Sequence, residues 1–308
     1  MNNPSDKKQG VQTTGHVWDD DLCEYNNPLP RWWLWTFYGT VFFAILYWLL
    51  YPAWPVGSSY TKGLFNDITY TVNGEEVTTH WNTRALFMRD MQSSPAAVRQ
   101  REFLDVIAAT DYEDLLADAD KLAFVRSYGR GIFGDYCAAC HQTGGTGIVG
   151  RYPNLSDDDW LWGGSVADIE RTIMHGRLGY MPPFRETFDA EQLDVVAEYV
   201  LSLSGIDGGD AAKAQRGEVI FKGMAGGCFH CHGADGKGLP SQGAPNLTDS
   251  VWTIANVPAA ETFDAKKEAV KGVIHNGVQR QMPAFGERLS PVEVKVLTAY
   301  VHQLGGGQ

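Results

Sequence analysis

Two pentapeptides carry the chemistry most readily read from this chain: Cys137-Ala-Ala-Cys140-His141 and Cys228-Phe-His-Cys231-His232. Both follow the pattern Cys-x-x-Cys-His, which attaches a c-type haem. Two thiols at this spacing reach the two vinyl groups of a porphyrin and add to them as thioethers. The histidine that follows then sits under the ring and offers its imidazole to iron. A zinc ribbon would place its Cys pairs about 15–20 residues apart, whereas 87 residues separate Cys140 from Cys228. A thioredoxin-like redox pair wants a strand–helix setting that neither pentapeptide shows. The fifth cysteine, Cys23, stands alone and reads as a reduced thiol.

The chain repeats itself around these motifs. Pro153-Asn-Leu lies 12 residues past His141, and Pro245-Asn-Leu lies 13 past His232. Seven residues beyond each proline stands a tryptophan, Trp160 or Trp252. Each copy then reaches Met-Pro-x-Phe, at Met181 and Met282, which lie 40 and 50 residues past the histidine of their own copy. Thioether ligation raises a haem potential and suits electron relay, so Met181 and Met282 are the expected sixth ligands opposite His141 and His232. His175 and His275, just upstream, are the alternative, and would give a bis-histidine iron. Met174 and Met224 have no repeat partner and are expected to be packing residues, and His16, His80, His230 and His302 ordinary polar ones.

The elements that must hold these groups are helical. Asp189 and Ser290 look like N-caps, the latter followed by proline at the first helical position. Leu193, Val196, Ala197 and Val200 then form one apolar face, as do Val294, Leu297, Tyr300 and Val301. A small residue on a first helix, Gly129 or Gly217, would let another helix cross closely.

Both copies resemble class I cytochrome c. The resemblance implies a small α-helical fold wrapped round a haem in each copy, with its first and last helices crossing at the Gly and Tyr positions. It further implies that Pro153 and Pro245 offer a backbone carbonyl to the proximal histidine, and that Trp160, Trp252 and Arg151 meet haem propionates. Gly243 stands where the second copy would need a counterpart of Arg151.

Between Arg31 and Lys62 no residue is charged, and Trp32 to Tyr51 is an apolar run of 20 residues. At a helical rise this spans about 30 Å, a bilayer's hydrocarbon thickness. Tryptophan and tyrosine crowd both ends, as in membrane interface belts. A cleavable signal would have a shorter core and a small-residue cleavage site close behind. A buried core helix would rarely be apolar on every face. The run therefore reads as a retained anchor. Lys7, Lys8 and Arg31 put the N-terminus on the cytoplasmic side by the positive-inside rule. Covalent haem attachment places the rest in the periplasm, which agrees.

The fold expected is mainly α: one N-terminal transmembrane helix followed by two tandem class I cytochrome c domains. The segments are a cytoplasmic leader (1–31), the anchor (32–54), a periplasmic linker (55–120) with helical stretches near 84–91 and 96–108, and cytochrome c domains at 121–205 and 206–308. The formal charge is −12, and no basic cluster suggests nucleic acid as a partner. Residues 32–125 carry −5, residues 126–205 carry −5, and residues 206–308 are balanced.

Thr14-Gly-His16-Val-Trp18, Asn27-Pro-Leu-Pro-Arg31-Trp-Trp and the single anchor ahead of two haem motifs resemble the di-haem subunit family of cbb3-type cytochrome c oxidases. The resemblance covers the whole chain. It implies two covalently bound haem c groups and a place in the bacterial inner membrane. It also implies electron transfer from a periplasmic donor cytochrome to a mono-haem cytochrome subunit and a haem–copper catalytic subunit, with no catalysis on this chain. The rivals are a free-standing or dehydrogenase-associated di-haem carrier and a di-haem peroxidase.

Overall fold

A computed structural model describes residues 12–305; Lys7 and Lys8 lie outside them. The described residues form two compact units, which divide between Arg101 and Glu102.

The first unit begins with an exposed hairpin, β1 (Thr13–Trp18) and β2 (Leu22–Tyr25), turned through Asp19 and Asp20 at positive φ. Then comes α1 (Arg31–Leu50), with no buried residue and no acid in its first turn. Its length and apolarity suffice to cross a membrane. A short ladder of β3 (Pro55–Val56) and β4 (Ser59–Tyr60) follows. β5 (Asp67–Val72) and β6 (Glu75–His80) then pair through Asn73-Gly74, both at positive φ, the tight hairpin turn that Asn-Gly favours. Asn82 caps α2 (Thr83–Ser93) by accepting from the Ala85 amide, and Ile68 and Ala85 are buried. Gln92 locks helix to hairpin: its Oε1 accepts from the Thr71 amide at 2.8 Å, and its Nε2 donates to the Thr71 carbonyl at 2.6 Å. The last helix, α3 (Pro95–Ala109), runs through the division.

The second unit holds both Cys-x-x-Cys-His segments. Its elements are α4 (Tyr112–Ala117), α5 (Ala119–Tyr136), α6 (Ala138–His141), α7 (Val166–His175), β7 (Arg177–Met181), α8 (Ala190–Leu203), α9 (Ala211–Lys222), α10 (Phe229–His232), α11 (Phe263–Asn276), β8 (Val278–Met282) and α12 (Pro291–His302). Asp189 and Ser290 do cap α8 and α12, each in a reciprocal box with the side chain three residues on. Residues 102–117 belong to this unit rather than to a linker running to 120: Ile107 and Leu115 are fully buried in its first core.

The two cores exchange their last helices. The first joins α5 and α7 to α12, and the second joins α9 and α11 to α8. A Cβ on Gly129 would meet Tyr300 at 2.8 Å, and a Cβ on Gly217 would meet Tyr199 at 2.8 Å. The Gly–Tyr crossings expected within each copy therefore form between copies. Chain connectivity supplies one reason. Only residues 204–210 lie between α8 and α9, so these helices pack as sequence neighbours.

Charge supplies another reason. Asp194 of α8 accepts from Lys213 of α9 at 2.9 Å and lies 3.3 Å from Lys267 of α11. The buried Glu198 pairs with Lys267 at 3.1 Å. At the positions of α12 that match Asp194 and Glu198 in the repeat stand Lys295 and Ala299. On the second core, Lys295 would face Lys213 and Lys267. On the first, its ammonium donates to the carbonyls of Ala108, at 3.1 Å, and Thr110 at the end of α3. Such pairing selects partners mainly by penalising the wrong one.

Truncating Lys267 to alanine strands a buried carboxylate, and is expected to destabilise this core by about 3–5 kcal/mol, measured by denaturant unfolding. Partial burial of Asp194 opposes ionisation, but its hydrogen bonds to Lys213 and Lys267 win and hold its pKa below the ordinary value of 3.8. The stability it contributes is therefore full above that value and is lost as pH falls below it.

β7 and β8 form an antiparallel ladder with Arg177 opposite Met282 and Met181 opposite Val278. The Phe184 amide donates to Ile274 of α11 at 3.1 Å, and the Phe285 amide to Ile173 of α7 at 3.0 Å. Each Met-Pro-x-Phe strand is thus delivered to the other copy.

Candidate functional site

α5 ends at Cys137, and a single turn, α6, carries Cys140 and His141; α9 ends at Lys222, and a glycine-rich segment joins it to the matching turn, α10, with Cys231 and His232. The turn ends at once because Gln142 and Gly233 adopt positive φ. The chain then doubles back. Gly147 donates to the His141 carbonyl at 3.0 Å and Gly238 to the His232 carbonyl at 2.8 Å. Both glycines are at positive φ, and a Cβ on either would strike the carbonyl of the following Pro153 or Pro245. Glycine there lets those carbonyls reach the histidines: Nδ1 of His141 is 3.1 Å from the Pro153 oxygen, and Nδ1 of His232 is 3.2 Å from that of Pro245.

That bond fixes the tautomer, with Nδ1 donating and Nε2 left with its lone pair. Burial pushes both histidine pKa values down, against the raising effect of the proline carbonyl. The imidazoles are thus held neutral, as a metal ligand must be. Burial also pushes the Cys137 and Cys228 thiols up to about 11, with Cys140 and Cys231 adding to the effect. A redox-active or zinc-holding pair works as thiolate. These sites favour neutral sulfur, which suits a thioether.

Both Cys-x-x-Cys-His segments open on one cavity of about 720 Å³. Its walls are mainly apolar, and they include Met181 and Met282, Trp160 and Trp252, and Pro153 and Pro245. Met282 packs on the first core, as do Cys137 and Ala138; Met181 packs on the second, as do Cys228 and Phe229. Each methionine thus packs on the core that the other copy's attachment cysteine also packs on, the reverse of the order along the chain. His175 and His275 are exposed and do not line the cavity. Met174 packs on the first core, but Met224 is 84% exposed and packs on nothing. Its expected packing role is thus corrected, because the glycine-rich segment around it bulges from α9.

Arg151 lines the cavity, with Arg177, Arg280 and Arg288, which the repeat pattern did not single out. Arg280 donates to the Gly150 carbonyl across the two copies, and Arg177 lies over the Trp162 ring at 4.9 Å. Gly243, aligned with Arg151, leaves room for Trp162, whose ring a Cβ there would strike. Asp159 also faces in. Burial, with Asp249 and Asp157 nearby, pushes its carboxyl up to about 6, and its Oδ2 is buried without a hydrogen-bond partner among the described residues. An apolar slot, sulfur and imidazole on its walls and guanidinium groups for carboxylates together fit haem c.

Two haem-attachment segments in cytochrome-like helical cores define a c-type cytochrome. Residues 10–58 match the family "N-terminal domain of cytochrome oxidase-cbb3, FixP", and residues 127–200 and 212–301 match "Cytochrome C oxidase, cbb3-type, subunit III". The chain is 41% identical to the cbb3-type cytochrome c oxidase subunit FixP of Azorhizobium caulinodans, covering 99% of this chain and 97% of that one. It is 39% identical to the CcoP subunit of Cereibacter sphaeroides, covering 99% of each, and 38% identical to that of Azospirillum brasilense, covering 98% of each. The chain belongs to the family of cbb3-type cytochrome c oxidase subunit III.

Proposed function

We propose that this chain is a membrane-anchored di-haem relay. It takes electrons from a periplasmic donor cytochrome and passes them to the mono-haem cytochrome subunit and the haem–copper catalytic subunit of a cbb3-type oxidase. The observation that carries this reading is the single cavity shared by two Cys-x-x-Cys-His segments, each with a methionine beside it. In this reading α1 crosses the inner membrane with the leader (1–31) in the cytoplasm and the second unit in the periplasm. The anchor is 32–54, and haem-bearing segments lie within 121–205 and 206–308, closing on one another.

Bound at both segments, haem c supplies a reversible one-electron couple at each. The chain does the rest. Cys137 and Cys140, and Cys228 and Cys231, would hold the two groups as thioethers. His141 and His232 would bind iron through Nε2, each oriented by its proline carbonyl. Met282 and Met181 would supply the second protein ligand to each iron. With both ligands drawn from the protein, oxygen chemistry would fall to another subunit. Trp160, Trp252 and Arg151 would meet propionates. The apolar walls keep water out, which limits solvent rearrangement on electron transfer.

Purification in mild detergent tests the assembly: haem b and copper should accompany this chain, and their absence would defeat the oxidase reading. Acidity over residues 32–205 should steer a basic donor. The expected second-order rate of reduction by such a donor falls as salt rises from low to physiological strength, measured by stopped flow. A rate independent of salt would remove the steering role.

A further inference from the structure

The loop after α1 folds back onto the helix end. The Leu64 amide donates to the Leu49 carbonyl at 2.9 Å, and Asn66 Nδ2 lies 3.5 Å from the Leu50 carbonyl oxygen. Thr61 Oγ1 accepts from the amides of Ala53 and Trp54 at 3.3 and 3.0 Å, and its own amide donates to the Trp54 carbonyl at 2.8 Å. Gly63, at φ +83°, approaches so closely that a Cβ would strike the Leu50 carbonyl. These bonds satisfy carbonyls that a helix terminus leaves open, and they fix residues 61–66 at the level of the last turn of α1.

Phe65 sits in this cap at φ +60° and is fully exposed. A bulky side chain pays for that backbone region, and it gains no burial within the chain in return. Its neighbour Leu64 is 55% exposed. Around the same helix end lie Trp48 and Trp54, with ring centroids 4.7 Å apart, and Tyr47 and Tyr51, also 4.7 Å apart. The Lys62 ammonium stands 3.5 Å from the Tyr60 ring centroid. A strained, presented aromatic with a cation and an aromatic belt at one depth suits a bilayer's headgroup boundary.

We propose that Leu64 and Phe65 form a second membrane contact, a wedge that enters the boundary between headgroups and acyl chains beside the end of α1. The occupant is lipid because hydrogen bonds tie the loop to the end of a helix long and apolar enough to cross a membrane, at the level of the tryptophans and tyrosines that mark a headgroup belt. The inference rests on α1 spanning the bilayer, and the test separates the two. The haem-loaded full chain, with Cys23→Ser, is placed in phospholipid nanodiscs. A polarity-sensitive NBD label is attached at Phe65→Cys, at Phe42→Cys in mid-helix, or at Thr78→Cys on β6.

At position 65 the emission should shift to the blue relative to 78, with quenching several-fold stronger by shallow nitroxide lipid than by aqueous iodide. If 65 behaves like 78 while 42 is quenched by lipid, the wedge is wrong and the anchor stands. If 42 is also open to iodide, both fall. If 65 is shielded from both quenchers only in the oxidase complex, the loop meets protein, and the lipid assignment is overturned.

Discussion

Replacing Met282 with alanine is expected to strip the thioether from the His141 site and leave the His232 site intact. The order of residues along the chain gives the opposite expectation, because Met282 follows His232 and Met181 follows His141. The packing favours exchange: Met282 lies on the same core as Cys137, and Met181 on the same core as Cys228. The ladder between β7 and β8 runs between the two copies, and the Phe285 amide is held by Ile173 of the first. A chain retaining only Cys137 and Cys140, with Cys228 and Cys231 changed to alanine, gives a single-haem readout. In it, Met282→Ala should abolish the methionine–iron charge-transfer band and Met181→Ala should preserve it. The potential of that haem should fall by on the order of 0.1–0.3 V, inside the ~0.8 V range that axial ligands command. The reverse pattern would falsify exchanged ligation.

What could be read from the sequence follows from how local each signal is. The Pro153 and Pro245 spacings and the caps at Asp189 and Ser290 are local, and the structure shows both: the two histidines meet their proline carbonyls and the two caps form. The helical stretches near 84–91 and 96–108 lie within α2 and α3 for the same reason. Exchange is not local. A repeated sequence offers two equivalent partners to each last helix, and periodicity ranks neither. The discriminating signal was present in the charges: Asp194 and Glu198 on α8, against Lys295 and Ala299 at the same places on α12. It becomes legible only once Lys213 and Lys267 are known to face those places. The β7–β8 ladder was hidden similarly. Arg177–Met181 and Val278–Met282 are only five residues each, and the partner of each lies in the other copy, so neither carries a hairpin signal. The Asn73-Gly74 hairpin, by contrast, carries a clear local turn signal.

Removing residues 288–308 is expected to dismantle the cradle around His141 while sparing the one around His232, although the deleted residues lie in the copy that contains His232. The deletion takes away α12, which buries Val294, Val296, Leu297, Tyr300 and Val301 against α5 and α7. Full burial of a large apolar side chain contributes roughly 1.5–3 kcal/mol, so five such residues supply on the order of 10 kcal/mol. That rivals the whole net stability of a domain, about 5–15 kcal/mol. Gly129 would face water in place of Tyr300, and α3 would lose the Lys295 ammonium at its last carbonyls. Among the described residues, no buried residue of the second core lies beyond position 287, and the α8–α9 pair with its Asp194–Lys213 bridge remains whole. Limited proteolysis should therefore cut within 119–136 in the truncated chain, while 190–222 stays protected. The charge-transfer band that depends on Met181 should persist, and the one that depends on Met282 should disappear. Had each copy closed on itself, the same deletion would have opened α9 and exposed Gly217, so cleavage confined to 211–222 would restore the simple tandem arrangement.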